Sequence, residues 1–424
     1  MRPDATSTQP HDTTTPVTHR LSMRTILILA VASGLSVANI YYAQPLLDLM
    51  ARDLALPLAS AGLVVTLTQI GYALGLVLAV PLGDLIDPRR VAVGQSILSV
   101  VALVVVATAP SERVLLAGMF TVGFFAVIVQ VLVAFAATLS APNERGKAVG
   151  LVTSGIVIGI LAARFVSGVI ADLGGWRSVY LASAAMTFIM AITLFRVLPH
   201  HRPRHDRSNY WSVVRSIPAP FLNDRIVRLR GILALLIFAA FSTLWTSLVL
   251  PLSTGPYAMT HTQIGLFGLI GMAGATAAAG AGTLADKGLG GRTTSVALTI
   301  LLASWGLIAL LPQSIPALIA GIVLLDFAVQ AVHVTNQSII FAIYPNARSR
   351  LVGGYMCFYS VGSAVGAIAS TAAFAYAGWR GVSLLGAGFS ALALMVWAMS
   401  AWRESARPAV TCSGANPAAP ASSN

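Results

Sequence analysis

Long, almost uninterrupted apolar stretches dominate the chain, and twelve of them have the roughly 20 residues that a helix needs to cross a bilayer. They lie at about 25–47, 59–82, 91–109, 114–140, 148–171, 176–198, 231–253, 262–285, 293–311, 315–342, 350–375 and 379–400. A transmembrane β-strand alternates apolar and polar positions, whereas Val91 to Ala109 is apolar almost throughout. The pattern therefore predicts an all-α integral membrane protein with twelve transmembrane helices.

The composition of the 424 residues supports this class and excludes others. Hydrophobic residues make up 57% of the chain and charged residues 9%, which leaves too few polar groups to cover a soluble enzyme. The two cysteines, Cys357 and Cys412, exclude a disulfide scaffold. The tails at 1–24 and 401–424 are polar or rich in Ala, Pro and Ser, and we expect both to be disordered.

Positive charges favour one orientation in the membrane. If both termini are cytoplasmic, 21 of the 26 Lys and Arg residues lie on the cytoplasmic side, four lie outside, and Arg164 falls within a span. This asymmetry is that of the positive-inside rule. The charges are spread over seven short segments and form no single basic face, so they do not indicate nucleic acid. We expect a monomeric multi-pass protein of a bacterial inner membrane with both termini in the cytoplasm.

The chain also contains an internal repeat. Asp84 and Asp286 are 202 residues apart, and the Gly-Trp-Arg of 175–177 recurs at 378–380, 203 residues on. Six spans separate the two copies of each motif, and six is an even number. The repeat therefore predicts two six-helix halves with the same orientation, related by an axis along the membrane normal.

The predicted halves are 25–198 and 231–400, and a basic cytoplasmic linker at 199–230 joins them. Within this linker, apolar residues fall at helical spacing. They are Tyr210, Val214, Ile217 and Phe221. The spacing fits an interfacial amphipathic helix, and the alternative is an irregular basic connector.

Polar residues at membrane depth are the main candidates for function, because each is costly there. On the tenth span, Asp326, Gln330 and His333 follow at spacings of four and three and share one helix face. Asp326 lies about ten residues, or roughly 15 Å, into the membrane. We predict that Asp326, Arg164 and His333 form a proton-coupling site. A static ion pair between Arg164 and Asp326 is the alternative, and Arg164 could also bind an anionic group of the substrate.

Motifs for other energy sources are missing from the sequence. It contains no Gly-x4-Gly-Lys-[Ser/Thr] loop for ATP, no His-Glu-x-x-His and no paired Cys/His spacing for a metal. No nucleophile–base set suggests an intramembrane enzyme. We therefore expect a transporter without cofactor or metal, driven by a proton gradient, whose partners are a small-molecule substrate, protons and the lipid bilayer.

Two segments resemble known transporter motifs. The segment Gly282-Thr-Leu-Ala-Asp286-Lys287, followed by Gly290 and Arg292, resembles the loop motif of the major facilitator superfamily. The first half has a divergent copy, Pro81-Leu-Gly-Asp84-Leu-Ile-Asp87-Pro-Arg89-Arg90. The segment Asn39-Ile-Tyr-Tyr-Ala-Gln-Pro45 resembles a bacterial branch of drug or sugar efflux proteins. The resemblance covers essentially all twelve spans and implies the major facilitator fold.

The resemblance also implies a cytoplasmic latch between the halves. Asp84 would meet Arg350 and the start of the eleventh span, where the helix N-terminus favours a carboxylate by about 0.3–1 kcal/mol. Asp286 would meet the start of the fifth span in the same way. The predicted latch residues are Asp84, Arg89, Arg90, Asp286, Arg292 and Arg350.

By the same resemblance, spans one, four, seven and ten line a central cavity, and the pairs five/eight and two/eleven form the surface between the halves. The predicted substrate-binding residues are Asn39, Tyr42, Gln44, Gln130, Trp245, Gln330, His333 and Asn336. Tyr42 and Trp245 could instead be interfacial aromatics near the outer headgroups. His333 could be a satisfied core histidine.

These observations predict a secondary active transporter that works by alternating access, with proton-coupled efflux of a drug-, sugar- or metabolite-like solute as the preferred function. The antiporter motif of the efflux branch is only partly present. Gly155 and Gly159 fit it, whereas Ile160 replaces its proline and Ala163-Arg164 replaces its glycine pair. The alternatives are a proton-coupled importer of the same fold, a non-transporting sensor and a channel.

Overall fold

The computed structural model describes residues 22–140, 144–199, 210–344 and 348–405. Within these ranges, nine helices are long and apolar enough to cross a bilayer. Two of them, Arg145–Val197 and Leu351–Arg403, have 53 residues each and hold two spans apiece. A further span begins with the shorter helix His261–Ala277. The described residues therefore contain the twelve spans that the sequence predicts.

The six spans of the first half are labelled α1 to α6. They are α1 at Met23–Tyr41, α2 at Leu63–Leu78, α3 at Pro88–Ala107, α4 at Glu112–Ala126 continued by Ile128–Leu139, α5 at 145–174 and α6 at 176–197. Gln44–Leu46 and Leu47–Asp53 continue α1, Leu58–Ser60 precedes α2, and Leu82–Leu85 follows it.

The spans of the second half are labelled α7 to α12. They are α7 at Arg225–Ser247 continued by Val249–Leu252, α8 at His261–Ala277, α9 at Gly290–Ile308, α10 at Ile315–Ile343, α11 at 348–376 and α12 at 379–405. Ala278–Gly280, Ala281–Leu284 and Ala285–Leu289 connect α8 to α9. We call the face where α1 begins and α12 ends the linker face, and the opposite one the far face.

The two copies of the internal repeat each contain a tight reversal of the chain at the far face. The backbone leaves helical geometry at Gly175, with φ 77°, and at Gly378, with φ 59°. Glycine adopts such positive φ values without the clash that a Cβ would cause. Each glycine is followed by a tryptophan whose indole N–H is bonded: Trp176 donates to Asp53 at 3.1 Å and Trp379 to the carbonyl of Ile308 at 2.8 Å.

Polar caps define where several helices begin. The Asp224 carboxylate accepts from the backbone N–H groups of Ile226 and Val227 at the start of α7. Thr260 and Gln263 form a reciprocal capping box at the start of α8. Such caps satisfy donors that have no partner within the helix, which matters most where no water reaches them.

Glycines allow the halves to approach closely. The α5–α8 and α2–α11 pairs meet, as the resemblance implies. A Cβ on Gly265 of α8 would collide with the Arg164 carbonyl, and one on Gly62 would collide with the Ala367 carbonyl. Backbone-to-backbone contact of this kind is the usual way in which helices pack in lipid.

The described part of the linker is helical and contacts both halves. Its two short helices are Tyr210–Ser216 and Ala219–Asn223. The Tyr210 hydroxyl donates to the Leu78 carbonyl of α2 at 2.7 Å, and the Phe221 ring packs 5.2 Å from that of Phe358 on α11. Residues 200–209, which carry several of the linker's basic side chains, lie outside the described residues.

Candidate functional site

Four residues that the sequence singles out meet between the halves. We call them the central cluster: Gln44, Arg164, Trp245 and Asp326. Gln44 and Arg164 come from the first half, Trp245 from α7 and Asp326 from α10. All four are buried. The site is therefore assembled from both halves of the repeat.

Trp245 lies between the two charged side chains. Its indole N–H donates to Asp326 Oδ1 at 3.2 Å. The Arg164 guanidinium carbon lies 4.1 Å from the centre of the Trp245 rings, which is cation–π distance. This places Trp245 in the cluster and not at the outer headgroups, which was the alternative.

The Arg164 side chain is held at only one of its nitrogens. Nε donates to the Gln44 side-chain oxygen at 2.9 Å, and the buried Nη1 and Nη2 have no hydrogen-bond partner. Neither Nη is therefore bonded to the Asp326 carboxylate, although the two charges attract each other. The static, hydrogen-bonded ion pair is not present in this conformation.

Glycine in α8 makes room for the Asp326 carboxylate. A Cβ on Gly271 would collide with Asp326 Oδ2. Gly268, one turn earlier, faces the aliphatic part of Arg164, where a Cβ would lie 3.1 Å from the Arg164 Cβ. The glycine spacing of α8 thus brings both charged side chains against the backbone of one helix.

Two tyrosines and a phenylalanine complete the surroundings of Arg164, and the sequence reasoning missed them. The guanidinium carbon lies 5.2 Å from the Tyr41 ring and 5.6 Å from the Phe241 ring. The Tyr41 hydroxyl is hydrogen-bonded to the Tyr359 hydroxyl of α11. Tyr41 lies in the segment Asn39–Pro45, and its place in this segment is the sequence feature that could have identified it as a candidate.

His333 and Asn336 lie in a separate group of side chains within the second half. His333 Nδ1 is 3.0 Å from the Tyr355 hydroxyl, and its ring meets that of Phe238 edge to face at 5.2 Å. Asn336 is fully buried, and its side chain accepts from Arg230 Nη1 at 3.1 Å. Asn336 therefore binds Arg230, the last residue of the predicted linker.

The remaining predicted substrate residues lie outside the central cluster. The Asn39 side chain accepts from the Ser183 hydroxyl at 2.6 Å, which joins α1 to α6 within the first half. Gln130 donates to the Tyr72 hydroxyl at 3.3 Å, also within that half. Tyr42 is buried, and Gln330 is half-buried.

The predicted latch falls partly outside what the structure describes. The side chains of Asp84, Asp286 and Arg350 lie outside the described residues. Arg89 contacts its own half, where it donates to the Phe195 carbonyl and lies 4.6 Å from the Phe195 ring. Arg90 and Arg292 are exposed.

A cluster of charged residues joins the halves at the far face. We call Asp48, Asp172 and His261 the far-face cluster. The two ring nitrogens of His261 lie 3.0 Å from Asp48 and 3.2 Å from Asp172. Asp172 also accepts from the backbone N–H groups of His261 and Thr262, so a carboxylate of the first half caps α8 of the second.

Further hydrogen bonds between the halves lie at the far face or near mid-membrane. The Thr371 hydroxyl accepts from the backbone N–H of Gly62 at 3.1 Å, and Thr66 donates to the Ala364 carbonyl at 2.8 Å. Towards the linker face, a Cβ on Gly150 of α5 or on Gly280 after α8 would meet nothing within 4 Å. The described hydrogen bonds thus join the two halves on the far-face side of the central cluster.

A cavity in the described part of the molecule lies apart from the central cluster. No group of three or more His, Cys, Asp or Glu side chains within them is arranged to hold a metal ion. A cavity of about 560 Å³ lies between α9, α10 and the segments that connect α8 to α9, and its lining is largely apolar. None of the central cluster lines it.

Comparison with known proteins identifies relatives along nearly the whole chain. Residues 26–294 and 231–416 match the model of the Major Facilitator Superfamily. The chain is 43% identical over 385 residues to the uncharacterized transporter YgaY of Escherichia coli O157:H7, covering 91% of this chain and 96% of that protein. It is 30% identical over 426 residues to the transporter SCO4007 of Streptomyces coelicolor, covering 96% of each.

Solved structures share the fold at low sequence identity. The nucleoside transporter NupG matches with a TM-score of 0.72 at 15% identity, covering 89% of this chain and 99% of NupG. A bacterial homologue of the human lysosomal transporter Spinster matches with a TM-score of 0.74 at 16% identity, covering 89% of this chain and 96% of that one. At these identities the likeness concerns the fold alone.

Proposed function

Since the chain belongs to the Major Facilitator Superfamily, we propose that it is a secondary active transporter that moves a small organic solute by alternating access and couples this movement to a proton. The observation that carries the proposal is the buried Asp326 carboxyl in a cluster that both halves build. Asp326 is 4% exposed, and ionisable groups at such depth are by default functional.

The composition of the central cluster supports alternating access. A site shared by two halves changes its exposure when the halves rotate against each other. Arg164 of α5 faces Trp245 and Asp326 of the other half, so such a rotation would alter their contacts. A proton on Asp326 would change the charge that Arg164 experiences, and this links protonation to the position of the halves.

We propose that the far-face cluster and the predicted latch act in opposite conformations. Bonds through Asp48, Asp172 and His261 hold the far face closed here. In the other conformation these bonds would break, and Asp84 and Asp286 would join the halves on the linker face. By the positive-inside rule the linker face is cytoplasmic, so the described conformation would open towards the cytoplasm of a bacterial inner membrane.

For the direction of transport we propose export in exchange for protons, because the segment Asn39–Pro45 resembles the efflux branch. In this scheme an outside proton reaches Asp326 and displaces a solute bound there. Cotransport of solute and proton is the second candidate. The unbonded Nη1 and Nη2 of Arg164 favour this candidate, because they suit an anionic solute. Exchange for a proton would instead be expected of a cationic solute, which competes with the proton for the Asp326 carboxylate.

The test uses purified protein in liposomes with an imposed pH gradient and a panel of drugs, sugars, amino acids and organic acids. We expect gradient-driven flux of at least one compound, and its loss in Asp326→Asn. Gradient-driven flux that persists in this variant would contradict the assignment of Asp326. Flux indifferent to the gradient would indicate a channel, and no flux of any compound would favour a sensor.

The chain offers a matched control for this substitution. Asp53 also accepts a hydrogen bond from a tryptophan, Trp176, but it lies at the far face and is 44% exposed. Asp53→Asn removes the same kind of charge from the same kind of bond outside the central cluster. We expect Asp53→Asn to retain gradient-driven flux, so that loss of flux reports the position of Asp326 and not the loss of any carboxylate.

A further inference from the structure

The Arg164 guanidinium is a charged group whose hydrogen-bonding capacity is mostly unused. It is 2% exposed, and only Nε is bonded, to Gln44. The edge formed by Nη1 and Nη2 has no partner. A buried polar group without a partner is destabilising, and a buried charge more so. An arrangement of this kind is expected where a ligand supplies the missing partner.

The geometry of the unbonded edge specifies the ligand's chemistry. Two parallel N–H groups on a planar guanidinium match the two oxygens of a carboxylate, and this pairing is short and charge-assisted. Gln44 holds the Nε side, and Trp245 covers one face of the group at 4.1 Å. Both contacts fix the orientation of the guanidinium before a ligand arrives.

The rings around Arg164 specify the rest of the ligand. Tyr41, Phe241 and Trp245 surround the guanidinium with apolar surface. The Tyr359 hydroxyl is hydrogen-bonded to that of Tyr41, and the centre of the Phe238 ring lies 4.0 Å from that of the Tyr359 ring. Phe238 therefore extends this apolar surface. An apolar or aromatic body attached to one carboxylate fits such surroundings better than a polyhydroxylated or doubly charged one.

We infer that the transported solute is a small monocarboxylate with an apolar body, whose carboxylate binds the Nη1–Nη2 edge of Arg164. This inference rests on the proposed transport function, and of its two candidates for coupling it selects cotransport of solute and proton. It names a solute class for the central cluster, and it has a consequence for coupling.

The titratable groups around Arg164 determine how proton binding and carboxylate binding affect each other. Asp326 is the acidic group that attracts Arg164, and the other titratable groups facing Arg164 are the phenols of Tyr41 and Tyr359. Phenols are neutral near pH 7. An ionised Asp326 competes with an incoming carboxylate for the positive charge of Arg164, whereas a protonated Asp326 does not. Carboxylate and proton therefore bind cooperatively and travel together, so for a solute of this class the second candidate, cotransport, replaces exchange for protons.

The test measures binding to the intact protein in detergent, with benzoate and hexanoate as probes and benzamide as the neutral match to benzoate. We expect benzoate or hexanoate to raise the melting temperature and to bind more tightly as the pH falls from 8 to 6, by about tenfold per pH unit at the steepest. Benzamide should bind at least tenfold more weakly than benzoate.

Two variants separate the roles of the charged groups. Arg164→Gln should lose carboxylate binding by more than about 100-fold, since the charged partner is gone. Asp326→Asn carries a permanently neutral group, so it should bind benzoate at least as tightly as the wild type and with an affinity that no longer changes between pH 8 and 6.

Several outcomes would overturn the inference. They are the absence of binding by both carboxylates at 10 mM, equal binding by Arg164→Gln, and weaker binding by Asp326→Asn. Tighter binding of benzylamine than of benzoate would indicate a cation that exchanges with the proton, and would also overturn it. Since these measurements need no gradient, they fail independently of the flux assay. Flux that depends on Asp326 without carboxylate binding would leave the proposed function standing.

Discussion

Two buried arginines, Arg164 and Arg230, have similar surroundings but different hydrogen bonding. They are 2% and 5% exposed, and each guanidinium carbon lies over a tryptophan, at 4.1 Å from Trp245 and 4.8 Å from Trp397. Arg230 donates from Nη1 to Thr294 at 2.9 Å and to Asn336 at 3.1 Å. Nη1 and Nη2 of Arg164 have no partner.

The difference separates a structural charge from a functional one. Thr294 and Asn336 lie in the same half as Arg230, so their bonds to it can persist when the halves move. Arg164 belongs to the first half, whereas Trp245 and Asp326, two of the groups around it, belong to the second. Burial alone therefore does not reveal a site in this protein. The combination of burial, unsatisfied donors and a position between the halves does.

The largest effect that would test this comparison is expected from Arg164→Gln. The substitution removes the charge but leaves a side chain that still reaches Gln44. We expect gradient-driven solute flux to fall by at least about 100-fold, since a charge-assisted bidentate contact is worth roughly 3 kcal/mol. Flux is measured in liposomes at equal protein incorporation. Flux within threefold of the wild type would show that Arg164 has no role in the transported complex.

The next largest effect is expected from Arg230→Gln, and it concerns stability. Removal of the guanidinium leaves the acceptors on Thr294 and Asn336 buried without this donor. We expect a loss of about 2–4 kcal/mol in the free energy of unfolding. The measurement is unfolding in detergent, combined with flux per folded molecule. Loss of flux at unchanged stability would place Arg230 in the transport machinery and would erase the distinction from Arg164.

A smaller effect is expected from Trp245→Phe. The variant keeps an aromatic face near Arg164 but loses the N–H that bonds Asp326. We expect gradient-driven flux to fall roughly tenfold, which corresponds to about 1.5 kcal/mol for a hydrogen bond to a charged group. Trp176→Phe is the matched control, because it removes the same bond from Asp53 at the far face. Equal losses in the two variants would mean that the effect is structural.

Much of the fold was predictable because long apolar runs and positive charges are properties of the sequence itself. The predicted span bounds leave breaks at 171–176 and 375–379, and the two reversals at Gly175 and Gly378 fall within them. Two of the longest helices each hold two spans, which the sequence separates correctly since each Gly-Trp-Arg interrupts an apolar run.

The candidate site was predictable where a charge interrupts an apolar helix. Arg164 and Asp326 are visible for that reason, and the structure brings them to the same cluster. The phenols of Tyr41 and Tyr359 are 318 residues apart in sequence, and no local pattern predicts their hydrogen bond. The role of Asn336 depends on Arg230, 106 positions earlier, so its place within the second half was also not predictable from spacing.

The far-face cluster shows the same limit. Asp48, Asp172 and His261 each lie at the end of a predicted span, where charged residues are ordinary. Only the packing of α5 against α8 shows that a carboxylate of one half caps a helix of the other. Contacts between the halves were expected on the cytoplasmic side, where the resemblance implied them.

The most direct test of the account is the melting temperature of Arg164→Gln beside that of Arg230→Gln, both measured in the same detergent without any solute. Arg164→Gln is expected to melt close to the wild-type temperature, because removal of a buried charge with unsatisfied donors offsets the lost attraction between Arg164 and Asp326, while Arg230→Gln is expected to melt several degrees lower. A drop in Arg164→Gln as large as that in Arg230→Gln would show that Arg164 serves the fold, and would contradict the assignment of its free Nη1–Nη2 edge to a ligand.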